Sequence, residues 1–280
     1  MGGKEFESAE VVRTSEGRQY HVGLAPGEVA SYVLLCGDPA RAERVAELFE
    51  SVRVEARNRE YVTFTGMFDG IEVSVMATGI GCDNTEIAIV ELSQVVENPT
   101  FLRIGSCGGL QPDIGLGDLV VSSGSVRMEN TSTWFVPEGY PAVAHHEVVL
   151  SLIEASSRLD HTFHVGLTAT ASGFYGGQGR KVPGFPPRYP NLESDLGKIR
   201  VMNFEMESST LFTLSNLRGF RSGAVCAVYA NRHANRFIDT ESKHDAEGRC
   251  IKTGLEAIRI LKSMDDKRGA QPFWTPSMGF

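Results

Sequence analysis

The sequence predicts an α/β sandwich with helices on both faces of a central sheet. Strand and helix patterns alternate along the chain, and the strands are continuous apolar runs, as in a sheet that is buried on both faces. Glycine and polar residues gather directly after these strands. Because ligands of such sheets lie at the carboxyl ends of the strands, we expect the loops there to converge on one pocket.

The first hundred residues contain three strand patterns and two helix patterns. The apolar run 31–36 is ended by Gly37, Asp38 and Pro39, after which apolar residues recur at helical spacing. The strands are predicted at 31–36, 61–65 and 71–77, and the helices at 41–49 and 84–96.

The residues after position 100 repeat this alternation and add two irregular segments. Four prolines predict that segment 181–197 is an irregular lid or wall. The aromatic residues Phe273, Trp274 and Phe280 predict that the end of the chain docks on the domain. Strands are predicted at 101–104, 119–125, 164–171 and 224–230, an amphipathic helix at 206–217 and a closing helix at 249–264.

Composition favours one large domain. The 280 residues are 41% hydrophobic, enough for a full core, and we expect a domain at 20–264 between a flexible extension at 1–19 and a tail at 265–280. The formal net charge of −8 argues against nucleic-acid binding, although it permits a local cluster of arginines for a small anion. Five cysteines without a C-x-x-C pair predict reduced core thiols, and neither a signal peptide nor a run of eighteen apolar residues is found. We therefore expect a cytoplasmic protein that has no membrane partner.

An aromatic ring, an amide and a guanidinium lie within seven residues of a Gly-rich stretch, at Phe174, Gln178 and Arg180. The ring can stack on a flat heterocycle, the amide both donates and accepts hydrogen bonds, and the guanidinium only donates. Together they suit a ring edge that alternates carbonyl, N–H and carbonyl, as uracil does. An ordinary surface turn is the alternative, so this prediction depends on the rest of the pocket.

Two segments have the features of an anion site. Residues 37–41 combine a glycine, a capping Asp, a Pro suited to the first helical position and Arg41, so free N–H groups and a positive charge meet at one helix start. Arg103 stands inside the apolar run 101–104, where an unpaired guanidinium is very costly to bury, and Ser106 follows it. The alternatives are a plain helix cap for Arg41 and a structural ion pair for Arg103.

Glu205, Met206 and Glu207 stand at the predicted start of a helix. A carboxylate there can accept hydrogen bonds from the vicinal hydroxyl groups of a ribose, and the thioether can pack on the sugar. Favourable placement of Glu at a helix N-terminus is the alternative, and it suffices for one of the two carboxylates.

The chain resembles the nucleoside phosphorylase-I family between about His21 and Lys262. The motifs that carry this resemblance are GDPAR, NREY, TGIG, RIGSCGG, FYGGQGR and NFEMES, which occur in the family's order. The resemblance implies a single-domain three-layer α/β/α sandwich around a mixed, largely parallel twisted sheet. It also implies phosphorolysis of a pyrimidine nucleoside, above all of uridine and phosphate to uracil and ribose 1-phosphate.

The same resemblance implies roles for individual residues. The phosphate site would consist of Gly37, Arg41, Arg103 and Ser106, with Arg59 reaching it across a dimer interface. The ribose contacts would come from Met206, Glu207, Glu205 and, from the neighbouring subunit, His21. The base would be bound by Phe174, Gln178, Arg180, Cys107, Gly108 and Tyr229, the last at a position where the family has a smaller aliphatic residue. The catalytic residues would be Arg103, Gln178 and Arg180.

The resemblance further implies a homo-oligomer, either a hexamer built as a trimer of dimers or a dimer. Glu60, Ile80 and Asn84 correspond to the ligands of a monovalent cation such as K⁺ between subunits, with Asn84 in place of the family's Ser. No cofactor is expected beyond phosphate as co-substrate.

Three alternative functions remain at this stage. A purine-cleaving relative requires an Asp to protonate the base where this chain has Asn231 and Arg232. A nucleoside hydrolase of the same fold would not need three arginines for phosphate. A non-catalytic nucleoside-binding protein would be expected to lack some of the Arg or Glu residues, and all of them are present.

Overall fold

Strands and helices alternate along the part of the chain that the computed structural model describes, which comprises residue 6 and residues 8–280. The strands are β1 (Tyr32–Cys36), β2 (Ser51–Asn58), β3 (Tyr61–Phe68), β4 (Ile71–Ala77), β5 (Thr100–Gly109), β6 (Leu119–Met128), β7 (Ala142–Val143), β8 (Phe163–Ala171), β9 (Asn203–Glu205), β10 (Arg221–Asn231) and β11 (Arg236–Phe237). The α-helices are α1 (Pro39–Ala46), α2 (Cys82–Leu92), α3 (His146–Arg158), α4 (Leu192–Lys198), α5 (Ser208–Arg218) and α6 (Thr240–Arg268).

These strands form one mixed sheet. At its centre β4, β1, β5 and β10 run parallel, and β2, β3 and β4 form an antiparallel edge. On the other side the sheet curls round, because β6 pairs with β10, β8 pairs with β6, and β9 pairs with both β8 and β5. The predicted mixed sheet is confirmed, and the structure adds that five of its strands close into a ring.

Helices cover both faces of the sheet, as predicted. α1, α3 and α6 pack on one face, where Leu152 of α3 meets Leu34 of β1 within a single core. α2 and α5 pack on the other face, where Phe212 of α5 belongs to the same core as Val33. Neighbouring residues of β1 therefore point into different cores, as the period of two in a strand requires.

A helix is found where an amphipathic helix is predicted at 206–217, but it is buried rather than amphipathic. α5 begins at Ser208 and its first eight residues are all buried. It packs between α2 and strands β6 and β10, so it has no solvent face along this part. Small hydroxyl residues such as Thr210 and Thr213 permit this burial, although the sequence pattern suggests a polar surface.

Other elements differ from the sequence pattern where local signals are weak. β2 and α3 were not predicted, and β2 is a largely exposed, charge-rich edge strand. The segment 181–197 is not wholly irregular, because it contains most of α4. α6 begins at Thr240 rather than at residue 249, since Asp239 caps its N-terminus by accepting a hydrogen bond from the Ser242 N–H at 2.9 Å.

Both ends of the described chain contact the domain. Trp274 is 4% exposed within the core of α3 and α6, and its indole N–H donates to the Gly279 carbonyl at 3.0 Å, so the predicted docking of the tail is confirmed. Near the other end, the Phe6 ring lies edge-on against the Tyr20 ring, with centroids 5.2 Å apart. The flexibility of residues 1–19 stays a prediction, and residues 1–5 and 7 lie outside the described residues.

None of the helices found within residues 8–280 is long and apolar enough to cross a membrane.

We predict that the docked tail stabilises the domain through Trp274. Trp274→Ala should lower the free energy of unfolding by about 3 kcal/mol, as large aromatic-to-alanine changes in a core do. Phe273→Ala is the matched control, because this neighbouring ring is 65% exposed and its loss should cost less than about 0.5 kcal/mol. Urea unfolding followed by circular dichroism measures both, and equal small effects would show that the tail contributes nothing to stability.

Candidate functional site

A pocket of about 830 Å³ lies at the carboxyl ends of the central strands. Residues of β5, β9 and β10 line it, together with the loops that follow β1, β4 and β8. The expected convergence of these loops is therefore observed. The pocket brings together most of the predicted site residues: Gly37, Arg41, Glu60, Ile80, Asn84, Arg103, Ser106, Cys107, Gly108, Phe174, Gln178, Arg180, Glu205, Met206, Glu207 and Tyr229.

Arg103 lies on β5 and is 6% exposed at the wall of this pocket. Its Nε donates to Glu205 Oε2 at 3.1 Å and its Nη2 donates to the Glu207 carboxylate. Burial alone would lower the pKa of Arg103, but the carboxylates of Glu207 and Glu205 outweigh it and raise this pKa. The ion pair considered as the alternative is thus present, and it lines a pocket rather than a closed core.

The absence of a side chain at Gly105 leaves space for the Arg103 guanidinium. A Cβ atom at Gly105 would lie 3.0 Å from Nη2 of Arg103 and 2.7 Å from Sγ of Cys226. A side chain at this position would therefore force Cys226, and the guanidinium beside it, to shift.

Glu205 is a structural partner of the α5 N-terminus. Its carboxylate accepts from the backbone N–H groups of Glu207 at 2.9 Å and Ser208 at 2.9 Å, and from the Thr170 hydroxyl at 2.5 Å. Together with Arg103 these donors occupy its oxygen atoms. Favourable placement at a helix N-terminus therefore explains Glu205. It was the alternative that sufficed for one of the two carboxylates.

Glu207 has fewer fixed partners. Its carboxylate accepts from the Gly81 N–H at 2.7 Å and from Arg103. Burial raises the pKa of Glu207, Arg103 opposes this effect and Glu205 adds to it. Next to it, Met206 lines the pocket with its side chain partly exposed. These two residues thus present an acceptor and a soft apolar group to the middle of the pocket.

Arg41 extends from the start of α1, where Asp38 accepts from the Ala40 N–H at 3.0 Å and Pro39 occupies the first turn. It is 5% exposed, so it is not the solvent-facing arginine of the alternative. Its Nη1 donates to the Ile104 carbonyl at 3.1 Å, next to Arg103 in sequence, while its Nε is buried without a hydrogen-bond partner. Arg41 and Arg103 therefore both line the pocket, and Arg41 has one N–H group without a partner among the described residues.

Glu247 of α6 neutralises part of this charge. Its carboxylate accepts from Arg41 at 3.0 Å and from Arg44 at 2.6 Å. Glu247 is not among the predicted site residues, and it lies before residue 249, where the closing helix is predicted to begin. Lys243 and Phe237 also line the pocket from the same region and were not predicted either.

Tyr229 stands at an irregularity of β10, where the register with β5 shifts between Val228 and Ala230. Such bulges redirect a side chain. Its hydroxyl donates to Glu247 at 3.0 Å and accepts from Arg41 at 3.3 Å. The phenol oxygen therefore lies at the Arg41 end of the pocket, and contact of Tyr229 with a base stays a prediction.

The amide, ring and guanidinium after β8 lie together at another part of the pocket. Gln178 is 3% exposed, and its Oε1 accepts from Arg180. The Arg180 guanidinium lies 3.7 Å from the centroid of the Phe174 ring, so it covers one face of the ring that was predicted to stack. Burial and the neighbouring Arg232 lower the pKa of Arg180 to about 10.

The three predicted cation ligands meet at the edge of the pocket. Gly79 adopts a φ of +76°, and a Cβ there would lie 2.7 Å from the amide nitrogen of Asn84 and 3.3 Å from Glu60. Ile80 follows directly and is 73% exposed. The set offers oxygen atoms from a carboxylate, a carbonyl and an amide, which are the ligands of hard cations.

His21 and Arg59 do not line this pocket. Arg59 occupies the tip of the β2–β3 hairpin with a φ of +54°, and its Nη2 donates to the Tyr20 hydroxyl at 2.8 Å. His21 Nδ1 lies 2.6 Å from Glu91 Oε1. The two residues share one surface, because Asn58 donates to the carbonyls of Tyr20 and His21 at 2.9 and 2.7 Å.

The chain is similar to known proteins over most of its length. The family model of the phosphorylase superfamily matches residues 31–262. A uridine phosphorylase of Thermococcus kodakarensis is 46% identical over 98% of this chain and 99% of the relative, and one of Escherichia coli is 38% identical over 86% and 97%. The crystal structure of a Trypanosoma brucei nucleoside phosphorylase, described as showing uridine phosphorylase activity, is similar with a TM-score of 0.84 at 25% identity, over 89% of this chain and 99% of that one.

We predict that acid removes the stabilising contribution of Glu247. Burial alone would raise the pKa of Glu247, but Arg41 and the Tyr229 hydroxyl hold it below its usual value of 4.5. A group whose pKa is lowered by folding stabilises the protein above its unfolded pKa, and this contribution is lost as the pH falls through the folded pKa. Glu247→Gln should therefore lower the free energy of unfolding by about 2 kcal/mol at pH 7 and by progressively less below pH 4.5.

Glu241→Gln is the matched control, because Glu241 is an exposed residue near the start of the same helix. Its effect should stay within about 0.5 kcal/mol over the whole range. Denaturant unfolding at each pH measures both variants. A difference between wild type and Glu247→Gln that stays constant down to about pH 3 would contradict the assignment.

Proposed function

The chain belongs to the phosphorylase superfamily, and we propose that it catalyses the phosphorolysis of uridine to uracil and ribose 1-phosphate. The observation that supports this most directly is the set of groups that share one pocket. Two buried arginines line it, a carboxylate that is bonded to one of them lies beside a thioether, and an amide bonded to a further guanidinium completes the lining. These groups suit phosphate, ribose and base.

At the phosphate end, Arg41 and Arg103 hold the anion that attacks the anomeric carbon. Both are already charged and nearly dry, so no reorganisation is needed when the reaction occurs. The unpartnered Nε of Arg41 and the hydroxyl of Ser106 supply further hydrogen bonds. The phosphate oxygen forms a bond to C1′ while the bond from C1′ to N1 breaks, and the electron pair of that bond leaves with the base.

In the middle of the pocket, Glu207 accepts hydrogen bonds from the ribose hydroxyl groups. Its bond to the Gly81 N–H fixes its orientation, and Met206 packs on the sugar. Positive charge that develops on the ribose is stabilised by the phosphate on one side and by this carboxylate.

At the base end, Gln178 accepts from N3–H and donates to O2, and Arg180 donates to O4. Arg180 must therefore exchange its bond with Gln178 for bonds to the base. Negative charge develops on uracil as it departs, and the guanidinium stabilises it. Arg103, Gln178 and Arg180 thus act on the reacting atoms or their charge.

Asn231 argues against the purine-cleaving alternative. Its Nδ2 donates to the Ile114 carbonyl at 2.7 Å and its Oδ1 accepts from the Ala234 N–H at 2.6 Å, so both ends of the amide are in use. An amide also has no titrating proton to give to a purine nitrogen. A hydrolase is disfavoured because the buried arginines would have no substrate anion.

A complete site requires a second subunit in this proposal. His21 and Arg59 form one surface outside their own pocket, and the hairpin tip that carries Arg59 places Glu60 at the pocket edge. Trp134 is 81% exposed and Ile80 is 73% exposed, and a hydrogen bond from Thr131 to Asp83 joins the segments that carry them. Exposed apolar residues beside a pocket mark an interface, so we infer a homo-oligomer, as a dimer or as a hexamer of three dimers.

Glu60, Ile80 and Asn84 would hold a monovalent cation at that interface, and no other cofactor is proposed. The buried cysteines of the described chain are free, and a reduced state of this kind favours the cytoplasm.

We predict that uracil forms from uridine only when phosphate is present. The measurement is an ultraviolet assay with uridine, deoxyuridine, thymidine, inosine and guanosine, in phosphate and in sulfate buffer of equal ionic strength. Sulfate controls for the effect of ionic strength. Equal turnover in sulfate would indicate a hydrolase, and faster cleavage of inosine or guanosine than of uridine would overturn the base assignment while leaving the phosphorylase assignment in place.

We also predict that inactive subunits complement one another. Arg59→Ala mixed with Glu207→Ala, under conditions of subunit exchange, should recover about a quarter of the wild-type activity, because half of the dimers are mixed and each mixed dimer holds one intact site. Arg41→Ala mixed with Glu207→Ala is the control, since both residues line the same chain's pocket and no mixed dimer is intact. No recovery in the first mixture, despite exchange shown by sedimentation, would mean that each chain builds its own site.

A further inference from the structure

A second cavity of about 730 Å³ adjoins the base end of the pocket. The two spaces have Phe174, Arg180, Ala230 and Phe237 in both linings, so they are direct neighbours. We call this second cavity the basic chamber, and its charged lining consists of Arg180, Lys181, Arg232, Arg236 and Glu193.

The lining of the basic chamber has more positive than negative groups. Among the residues that the structure describes, none of its four cations has a carboxylate oxygen within 4.0 Å. Arg41 and Arg103 at the other end of the pocket each contact at least one. This local excess of positive charge occurs in a chain whose formal net charge is −8.

Two of these cations, Arg180 and Arg232, are partly buried. Arg232 is partly buried, its Nη2 donates to the Gln178 carbonyl at 3.2 Å, and its Nη1 is buried with no hydrogen-bond partner. Its guanidinium also lies 5.8 Å from the centroid of Phe204. Burial and the charge of Arg232 lower the pKa of Arg180, whereas Glu193 opposes the lowering of the Arg232 pKa by burial. An anion in the basic chamber would offset the repulsion on Arg180 and would be attracted by all four cations.

We propose that the basic chamber binds an anionic substituent of the base, so that the protein accepts uracil nucleosides that carry a carboxylate at C5. This rests on the proposed function, in which Arg180 donates to O4. C5 is bonded to the carbon that carries O4, so a group on C5 lies beside Arg180. The seam between the two cavities at that point includes Ala230, whose methyl group leaves room for a substituent.

The test compares 5-carboxyuridine with 5-carbamoyluridine, which has the same shape and no charge. The variant is Lys181→Gln combined with Arg236→Gln, because these two cations line the chamber and not the catalytic pocket. The readout is the ratio of kcat/KM for the carboxylate to kcat/KM for the carboxamide. The electronic effect of each substituent on the leaving group is the same in every variant, so it cancels when the ratios are compared.

Lys181 and Arg236 are both exposed, so the ratio should fall about tenfold at most in the double variant, as expected for two exposed charge pairs, and the fall should be smaller at high salt. Lys252→Gln is the control, since Lys252 is an exposed cation on α6 outside the chamber, and it should leave the ratio unchanged. A double variant that folds normally by circular dichroism and keeps the wild-type ratio would overturn the proposal.

Two further measurements distinguish this proposal from the binding of free anions and from a failure of the proposed function. If free acetate alters uridine cleavage in the wild type and not in the double variant, while the ratio stays constant, the chamber binds free anions and the proposal is wrong. If uridine itself is not cleaved with phosphate, the proposed function fails by itself. Calorimetric titration with 5-carboxyuracil and 5-carbamoyluracil then tests the chamber without turnover, and equal binding of both bases by wild type and double variant would overturn it.

Discussion

The rest of the pocket depends on the buried guanidinium of Arg103. A charge that is 6% exposed must be neutralised, and both carboxylates that do so come from the short segment 203–207. Glu205 also binds N–H groups at the start of α5, so the ion pair ties this helix to β5. Glu207 follows two residues later, beside the guanidinium and at the pocket surface. One electrostatic requirement thus places the charge for the anion next to the carboxylate for the sugar.

Positive charge is treated differently at the two ends of the pocket, and the proposed reaction gives a reason. Arg41 and Arg103 share their charge with Glu247, Glu205 and Glu207. Phosphate arrives as an anion and leaves as a sugar phosphate, so arginines that are partly neutralised bind it without holding the product too tightly. Arg180 has no carboxylate partner among the described residues, and negative charge reaches the base only as the bond breaks. Its contribution is therefore larger in the transition state than in the ground state.

Features that depend on local pattern were predictable from the sequence. The turn into α1 is predicted by its cap residues. Arg103 is predicted to need an anionic partner because its charge interrupts an apolar run. Features that depend on distant packing were not: Glu247 lies 206 residues from Arg41, and the direction of Tyr229 depends on a bulge that appears only when β10 pairs with β5. The serine and threonine residues of α5 predict a polar, exposed face for this helix, but they are buried in the structure. The predicted roles of His21 and Arg59 came from resemblance alone, and the second subunit that they require stays a prediction.

Calorimetric titration with inorganic phosphate tests most directly whether Arg103 is shared between Glu207 and the anion. Glu207→Gln removes a competing negative charge and keeps the shape of the side chain, so phosphate should bind about tenfold more tightly than to the wild type. Arg103→Gln should bind phosphate at least about tenfold more weakly. Two results would contradict this: Glu207→Gln binds phosphate no better than the wild type, or Arg103→Gln folds normally and binds phosphate as well as the wild type. Either result would mean that the Arg103 guanidinium only forms a structural ion pair and does not bind the anion.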